Sequence, residues 1–420
     1  MLETLKNAWR TPDIRQKILY TLLILFLFRV GADFIPVAGV NASYIAQQVE
    51  QYEIFGFLNL MTGGSFAQFT IFALGISPYI TASIVMNLLT FAIPALERMA
   101  KEGGEEGKEK IQRITRYVSI ILAFVESIGI MMGLRGALLS TSVFSYITIG
   151  IQLAAGSAVV MWMAEKITEK GIGNGMSLII FVGIVSRLPL YVVELFTNIF
   201  NGTQNAWVLL PILVISVGIV AGVVCIDNAE RRITVQYAKR VVGRKMYGGQ
   251  STHIPMKLNA SGVLPIIFAM TLLQFPLMIS QFWPQSGFTI WYQGFMYSGG
   301  IPYSLLYGLL IFAFSFFYMS ISFNPIEISK NLQQNGGFIP GIRPGRPTSD
   351  YLARISSRLT CFGGIFLAIL ATVPTMIVSL MGFQMAMQAT GVLISVSVAL
   401  ETTKQLETLL LVRHYKGFLK

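Results

Sequence analysis

The chain has 420 residues, of which 54% are hydrophobic and only 12% charged, and its formal net charge is +11. Soluble domains carry about 25% charged residues, so the composition excludes a soluble globular protein and points to a chain that crosses a membrane many times. The 2 cysteines, Cys225 and Cys361, both lie in apolar runs and offer neither a disulfide framework nor metal-ligand spacing.

In chain order, Lys6, Arg10, Arg15 and Lys17 precede the first apolar run. This resembles a secretory signal superficially, but no small-residue cleavage site follows cleanly and many spans do, so a retained first helix is expected. Ten apolar segments can be drawn: 18–38, 59–93, 115–134, 145–164, 175–196, 207–226, 258–283, 304–324, 356–379 and 385–411. A bilayer core of about 30 Å takes roughly 20 helical residues. No low-complexity linker separates the segments, so one membrane domain over residues 1–420 is expected.

The second segment is unusual. No charge lies between Glu53 and Glu97, a run too long for one straight span. Gly63, Gly64, Gly75 and Pro78 punctuate it. The expected form is a short apolar helix, a bend, and a full span from near Pro78. Broken backbone at membrane depth is tolerated only where it is buried in protein or lines a cavity. A plug-like half-helix folded into a pore fits that rule; a kinked packing helix with an interfacial segment is the alternative.

Charge alternates between connections. The second carries Arg98, Lys101, Lys108, Lys110, Arg113 and Arg116, whereas the first has no basic residue and the third only Arg135. The fourth has Lys166 and Lys170, and the fifth at most Arg187. Basic residues return in the sixth, about 227–257, and the eighth, about 325–354, while the seventh and ninth carry no charge. Basic loops mark the cytoplasmic side. Ten spans with both termini cytoplasmic fit this pattern, which places Lys239 and Arg343 inside and Tyr297 outside. The two long basic connections expose Arg232, Lys239, Arg240, Arg343 and Arg346. Docking of a partner competes there with a plain topology signal that also contacts anionic lipid.

Catalytic chemistry has little to work with. His253 and His414, the only histidines, fall in cytoplasmic segments, and neither a Walker A sequence nor HExxH occurs. No enzyme activity, metal or cofactor is expected. Charges inside the spans are Arg29, Asp33, Glu126, Glu194 and Glu401. Arg29 and Asp33, at i and i+4, suit a structural pair. So few mid-depth ionisable groups count against the rival class, a secondary transporter of a small solute. Gly171, Gly173 and Gly175 around Asn174 make a turn that opens the fifth span.

Six motifs occur together: FALGISPYITASIVMNLL, WMAEKITEKGIGNGMSLII, QYAKR, STHIPMKLN, PGIRPG and ETTKQLE. In these the chain resembles the SecY/Sec61-alpha family, central subunits of protein-translocation channels, nearly end to end. The resemblance implies an all-α fold of ten transmembrane helices. They form two inverted-repeat halves, roughly 1–200 and 201–420, around an hourglass pore hinged near the fifth-to-sixth connection. It places a ring of apolar side chains on Ile80, Ile84, Met176, Ile180, Ile267 and Ile394, with Met176 in place of the usual branched aliphatic. Helical spacing independently puts Ile80 with Ile84, and Met176 with Ile180, on one face. The plug falls on Gly63, Gly64, Phe66, Phe69, Ile71 and Phe72. A lateral gate separates the second and third spans from the seventh and eighth; Asn87 in it replaces the usual Gln or Glu. Implied partners are the SecE and SecG subunits, the SecA motor ATPase, a ribosome, signal sequences with nascent or secretory polypeptides, and membrane lipid. The implied location is the bacterial plasma membrane.

Overall fold

The computed structural model describes all residues except Met1, Tyr52, 203–206, Val208, 238–239, 243–244, 248–250, 260–261, Gln281, 284–285, 297–299, 381–385 and 418–420. Lys239, Arg244, Tyr297 and Lys420 therefore lie outside the described residues.

The apolar runs fold as helices because each must satisfy its own backbone hydrogen bonds in lipid. The first part of the chain forms α1 (Leu2–Arg10), α2 (Pro12–Phe34), α3 (Ala42–Gln51), α4 (Glu53–Met61), α5 (Ser77–Ala92) and α6 (Pro94–Glu102). Then come α7 (Gly104–Gly133), α8 (Val143–Lys170), α9 (Gly175–Phe200) and α10 (Leu209–Asn228). After four strands follow α11 (Leu264–Ser280), α12 (Gly287–Phe295), α13 (Ile301–Ser322), α14 (Pro325–Gln334), α15 (Arg346–Leu380) and α16 (Ala386–Gly417). Nine of the ten predicted apolar segments each overlap one long helix of this set, and the second, 59–93, is divided between the end of α4, a non-helical stretch and α5. Among the described residues, 6 helices are long and apolar enough to cross a membrane, and α5 with α6 adds a pair bent by 104°. The bend falls at Pro94, which cannot donate to the preceding turn.

The chain is mostly helical, and it adds a small sheet that hydrophobic periodicity alone did not announce. Strands β1 (Glu230–Tyr237), β2 (Arg240–Val242), β3 (Lys245–Tyr247) and β4 (Ser251–Lys257) occupy the first long basic connection, and β5 (Gly337–Phe338) the second. The order β4-β1-β5 is antiparallel throughout, with Ile233 opposite Ile254 and Gln236 opposite Phe338. The two basic connections are thus hydrogen-bonded into one unit. Ile233 and Val235 point inward to Met256, Leu332, Ile339, Leu352 and Ile355, while Arg232 and Thr234 point outward.

Two apolar cores organise the membrane part. The larger joins α2, α4, α5, α8, α9, α10, α11, α13, α15 and α16. The other lies around α3, α4, α7 and α8 and includes Ile45, Phe55, Leu58, Ile130, Met131 and Leu153.

Candidate seal, plug and gate

Local sequence aims the ring residues. Pro78 sits in the first turn of α5, where its missing N–H costs nothing, and Ile80 and Ile84 follow one turn apart. Asn174 caps α9 by accepting from the Met176 amide at 3.1 Å, and the Gly175 amide donates to Thr168 Oγ1 at 2.9 Å. This pins the glycine-rich turn and orients Met176 and Ile180. Ile267 comes from α11 and Ile394 from α16. The five isoleucines are buried in the larger core, with Met176 half-buried against them. Helices from both ends of the chain thus contribute to one apolar contact.

The stretch between α4 and α5 is not a half-helix. Residues 62–76 run as successive turns, with positive φ at Gly63, Gly64, Gly75 and Phe69. Gly63 and Gly64 are required: φ is 65° and 94°, and a side chain at Gly64 would run into the Arg187 guanidinium. The Gly63 carbonyl accepts from Arg29 Nη1 at 2.8 Å and from Arg187 Nε at 3.0 Å. Arg29 also pairs with Asp33 at 2.7 Å, the structural pair that the i, i+4 spacing foretold. Val37 N donates to Phe69 O and Ile71 N to Ile35 O, both at 2.9 Å. Ser157 Oγ donates to Gly75 O at 3.1 Å. Every tie beyond the segment's own turns therefore comes from a neighbouring element.

The plug residues divide between the two cores. Phe72 belongs with the ring residues in the larger core and stacks on Phe28 at 5.9 Å, while Phe66 and Phe69 are buried in the other core. Ile71 packs against both. Arg187, which the charge pattern assigned to the fifth connection, sits inside α9 and holds the Gly63 carbonyl. In the sequence it is one of two charges in an otherwise apolar helix, with Glu194 two turns on.

At the expected gate, Phe91 of α5 meets Phe317 of α13 edge-on at 6.5 Å. Asn87 is half-buried on α5, one turn from both Ile84 and Phe91. On α7, Glu126 is buried and neither carboxylate oxygen has a hydrogen-bond partner among the described residues. At the sheet, Arg232 is exposed and pairs with Glu230 at 2.7 Å. Arg343 and Arg346 are exposed at a braced tip, where Arg343 O accepts from Thr348 Oγ1 at 2.9 Å and Gly345 O from Ser329 Oγ at 2.7 Å. Arg240 lies on β2.

The SecY family profile matches residues 70–403. The chain belongs to the SecY family. Protein translocase subunit SecY from Streptomyces galbus is 44% identical, and the protein of the same name from Halalkalibacterium halodurans 43%, each with 100% of both chains covered. A solved structure of a protein-conducting channel superposes with a TM-score of 0.69 at 22% identity, covering 93% of this chain and 91% of that one. A second has a TM-score of 0.68 at 22% identity and the same 93% and 91% coverage; in it the plug domain of SecY stabilises the closed state of the translocation channel and maintains a membrane seal. Sec61 in a canine ribosome–channel complex from the endoplasmic reticulum has a TM-score of 0.65 at 21% identity, covering 93% and 91% of the two chains. At such identities the superpositions speak for the fold; membership rests on the profile and the SecY relatives.

Proposed function

We propose that the chain is the channel subunit of a protein translocase, a multi-pass membrane protein that conducts unfolded secretory polypeptides and releases signal or transmembrane segments sideways into lipid. The observation that carries this reading is one apolar core in which Ile80, Ile84, Met176, Ile180, Ile267 and Ile394 lie together with Phe72 of the plug segment. A hydrophobic constriction stops ions and water by dewetting. It also offers a passing chain no fixed hydrogen bonds to stick to. At rest the ring and the plug form the seal. The seam of α5 and α7 against α11 and α13 is the lateral gate, with Asn87 on its polar side. Parting that seam lets a signal sequence reach lipid.

Energy comes from outside the channel. The sheet and the Arg343–Arg346 tip present exposed basic residues to an acidic partner surface: a SecA-type motor or a translating ribosome, with SecE and SecG subunits beside the channel. Both termini and the sheet face the cytoplasm of a bacterial plasma membrane, as the alternation of basic connections requires. The chain forms one channel domain in two halves.

The test is reconstitution. Vesicles containing the channel and its partner subunits should import an unfolded secretory polypeptide when a motor and ATP are added, and should not do so without them. Single cysteines at positions 297 and 343, in a background lacking Cys225 and Cys361, should label from opposite sides. Failure of motor-driven import by correctly inserted channel overturns the reading, and labelling of both positions from one side overturns the topology.

A further inference from the structure

Beside the ring lies a polar cavity of about 480 Å³, walled in part by Asn174, Asp227, Asn259, Ser397, Glu401 and Lys404. It adjoins the seal: Asn174 precedes Met176 by two residues, Val263 in its wall is one turn before Ile267, and Ser397 is one turn after Ile394. The most connected group in its wall is Asp227, in the last turn of α10. Its carboxylate accepts from Asn259 Nδ2 at 2.8 Å, and Ser397 shares the same cavity wall. Its main-chain carbonyl accepts from Lys404 Nζ. A lysine at the negative end of a helix is favourably placed, and a hydrogen bond to a charged group is about twice as strong as a neutral one.

Its two hydrogen-bond partners come from different elements. Asn259 stands in the short link between β4 and α11, and Ser397 and Lys404 are both on α16. The link is held a second time, by Leu258 N donating to Ala229 O at 2.9 Å just beyond α10. So the end of α10 fixes the start of α11, which carries Ile267, and the middle of α16, which carries Ile394.

We propose that Asp227 is a positioning residue for the seal, holding α11 and α16 so that Ile267 and Ile394 close against the isoleucines of α5 and α9. The inference rests on reading those residues as the seal. It adds a clasp at the pore mouth whose release lets α11, a gate helix, move away from α16. A polypeptide entering the cavity brings backbone amides and carbonyls that compete for the same partners, so occupancy of the mouth loosens the clasp.

The experiment compares wild type, Asp227→Ala, Asp227→Glu, Asn259→Ala, the Asp227→Ala/Asn259→Ala pair and Ile84→Asn. Each is the full chain with its partner subunits, in planar bilayers at rest and in vesicles given a preprotein with a defective signal. Asp227→Ala should raise resting conductance about tenfold, the scale set by losing one charge-assisted hydrogen bond, and should pass the defective preprotein. Asp227→Glu, which keeps the charge and the acceptor, should restore most of the seal. Asn259→Ala should leak less than Asp227→Ala and add little to it in the pair, because both act through one contact. A general loss of stability would give neither rescue by Glu nor that non-additivity. A silent Asp227→Ala beside a leaking Ile84→Asn overturns the clasp and leaves the seal intact. Silence of both overturns the seal reading and the clasp with it. Should Asp227→Ala not assemble, Asn259→Ala decides alone: a leak supports the clasp and silence overturns it.

Discussion

Residues 62–76 and the β1–β4 hairpin both interrupt runs of helix, and they settle the same backbone problem in opposite ways. The hairpin pairs its own backbone, residue by residue from Glu230–Lys257 to Gln236–Ser251, and meets α15 only through side chains such as Leu352 and Ile355. Residues 62–76 close short turns and borrow from their neighbours: the Asn59 carbonyl and side-chain oxygens of α4, guanidiniums from α2 and α9, a hydroxyl from α8, and two amide–carbonyl pairs with residues 35–37. Unpaired backbone at membrane depth costs several kcal/mol per group on transfer scales. Irregular backbone inside the protein is therefore only as stable as its lenders. The hairpin, lying in the polar connections, supplies its own backbone partners.

The largest effect should come from removing the lenders. Arg29→Leu with Arg187→Leu strips the Gly63 carbonyl of two charge-assisted bonds, worth about 3–6 kcal/mol together at about 1.5–3 each. A cysteine replacing the buried Ser65, in a background without Cys225 and Cys361, should then label with an aqueous thiol reagent, whereas it stays protected when both arginines are present. Continued protection would show that packing alone seats the segment.

Next is the hairpin's own core. Leu352 is fully buried beside Ile233 and Val235, and Leu352→Ala should cost about 2–5 kcal/mol locally. Partner binding should fall while resting conductance stays at the wild-type level. A leak from this variant would break the separation between the two regions.

A change in the ring should be smaller. Ile84→Asn places a polar group that gains partners only when the constriction is wet, shifting closed against open by about 1–3 kcal/mol. That is one to two powers of ten in open population, roughly, readable as single-channel conductance at rest and as passage of preproteins with defective signals. Deleting residues 63–70 should also leak, with less effect on signal selectivity because the ring remains.

The smallest effect on folding belongs to Arg343→Glu, an exposed surface change expected to stay within about 0.5 kcal/mol. Its consequence is for docking: affinity for the motor or ribosome should drop, and the drop should shrink as salt screens the surface. Unchanged affinity at low salt would reduce the tip to a topology signal.

The spans were legible because lipid imposes a local rule, a long apolar run, on each of them. Gly63, Gly64 and Gly75 were legible as breaks for the same local reason, and Arg29–Asp33 because one helical turn separates them. What lies between distant residues was not. Arg187 reaches a carbonyl 124 positions away, and nothing in its neighbours distinguishes an anchor from a loop charge. In β1 the alternation of Arg232, Ile233, Thr234 and Val235 is present, but it is short and crowded by charge. Its partner β5 spans only two residues and carries no periodic signal at all. Asp227 is, in the sequence, only the first residue of the sixth connection; its hydrogen bonds to Asn259 and Lys404 come from other elements.

The two lenders of the Gly63 carbonyl also set an order of assembly. Arg29 precedes the segment in the chain, and Arg187 follows it by 124 residues. At roughly 5–20 residues per second, synthesis of that interval takes about 6–25 seconds. Through that time α5 already exists with Ile80 and Ile84, yet residues 62–76 have only one of their two guanidinium partners. Ile267 and Ile394 emerge later still. The bend before α5 is therefore fixed in two steps, the second of which waits for α9 to be made.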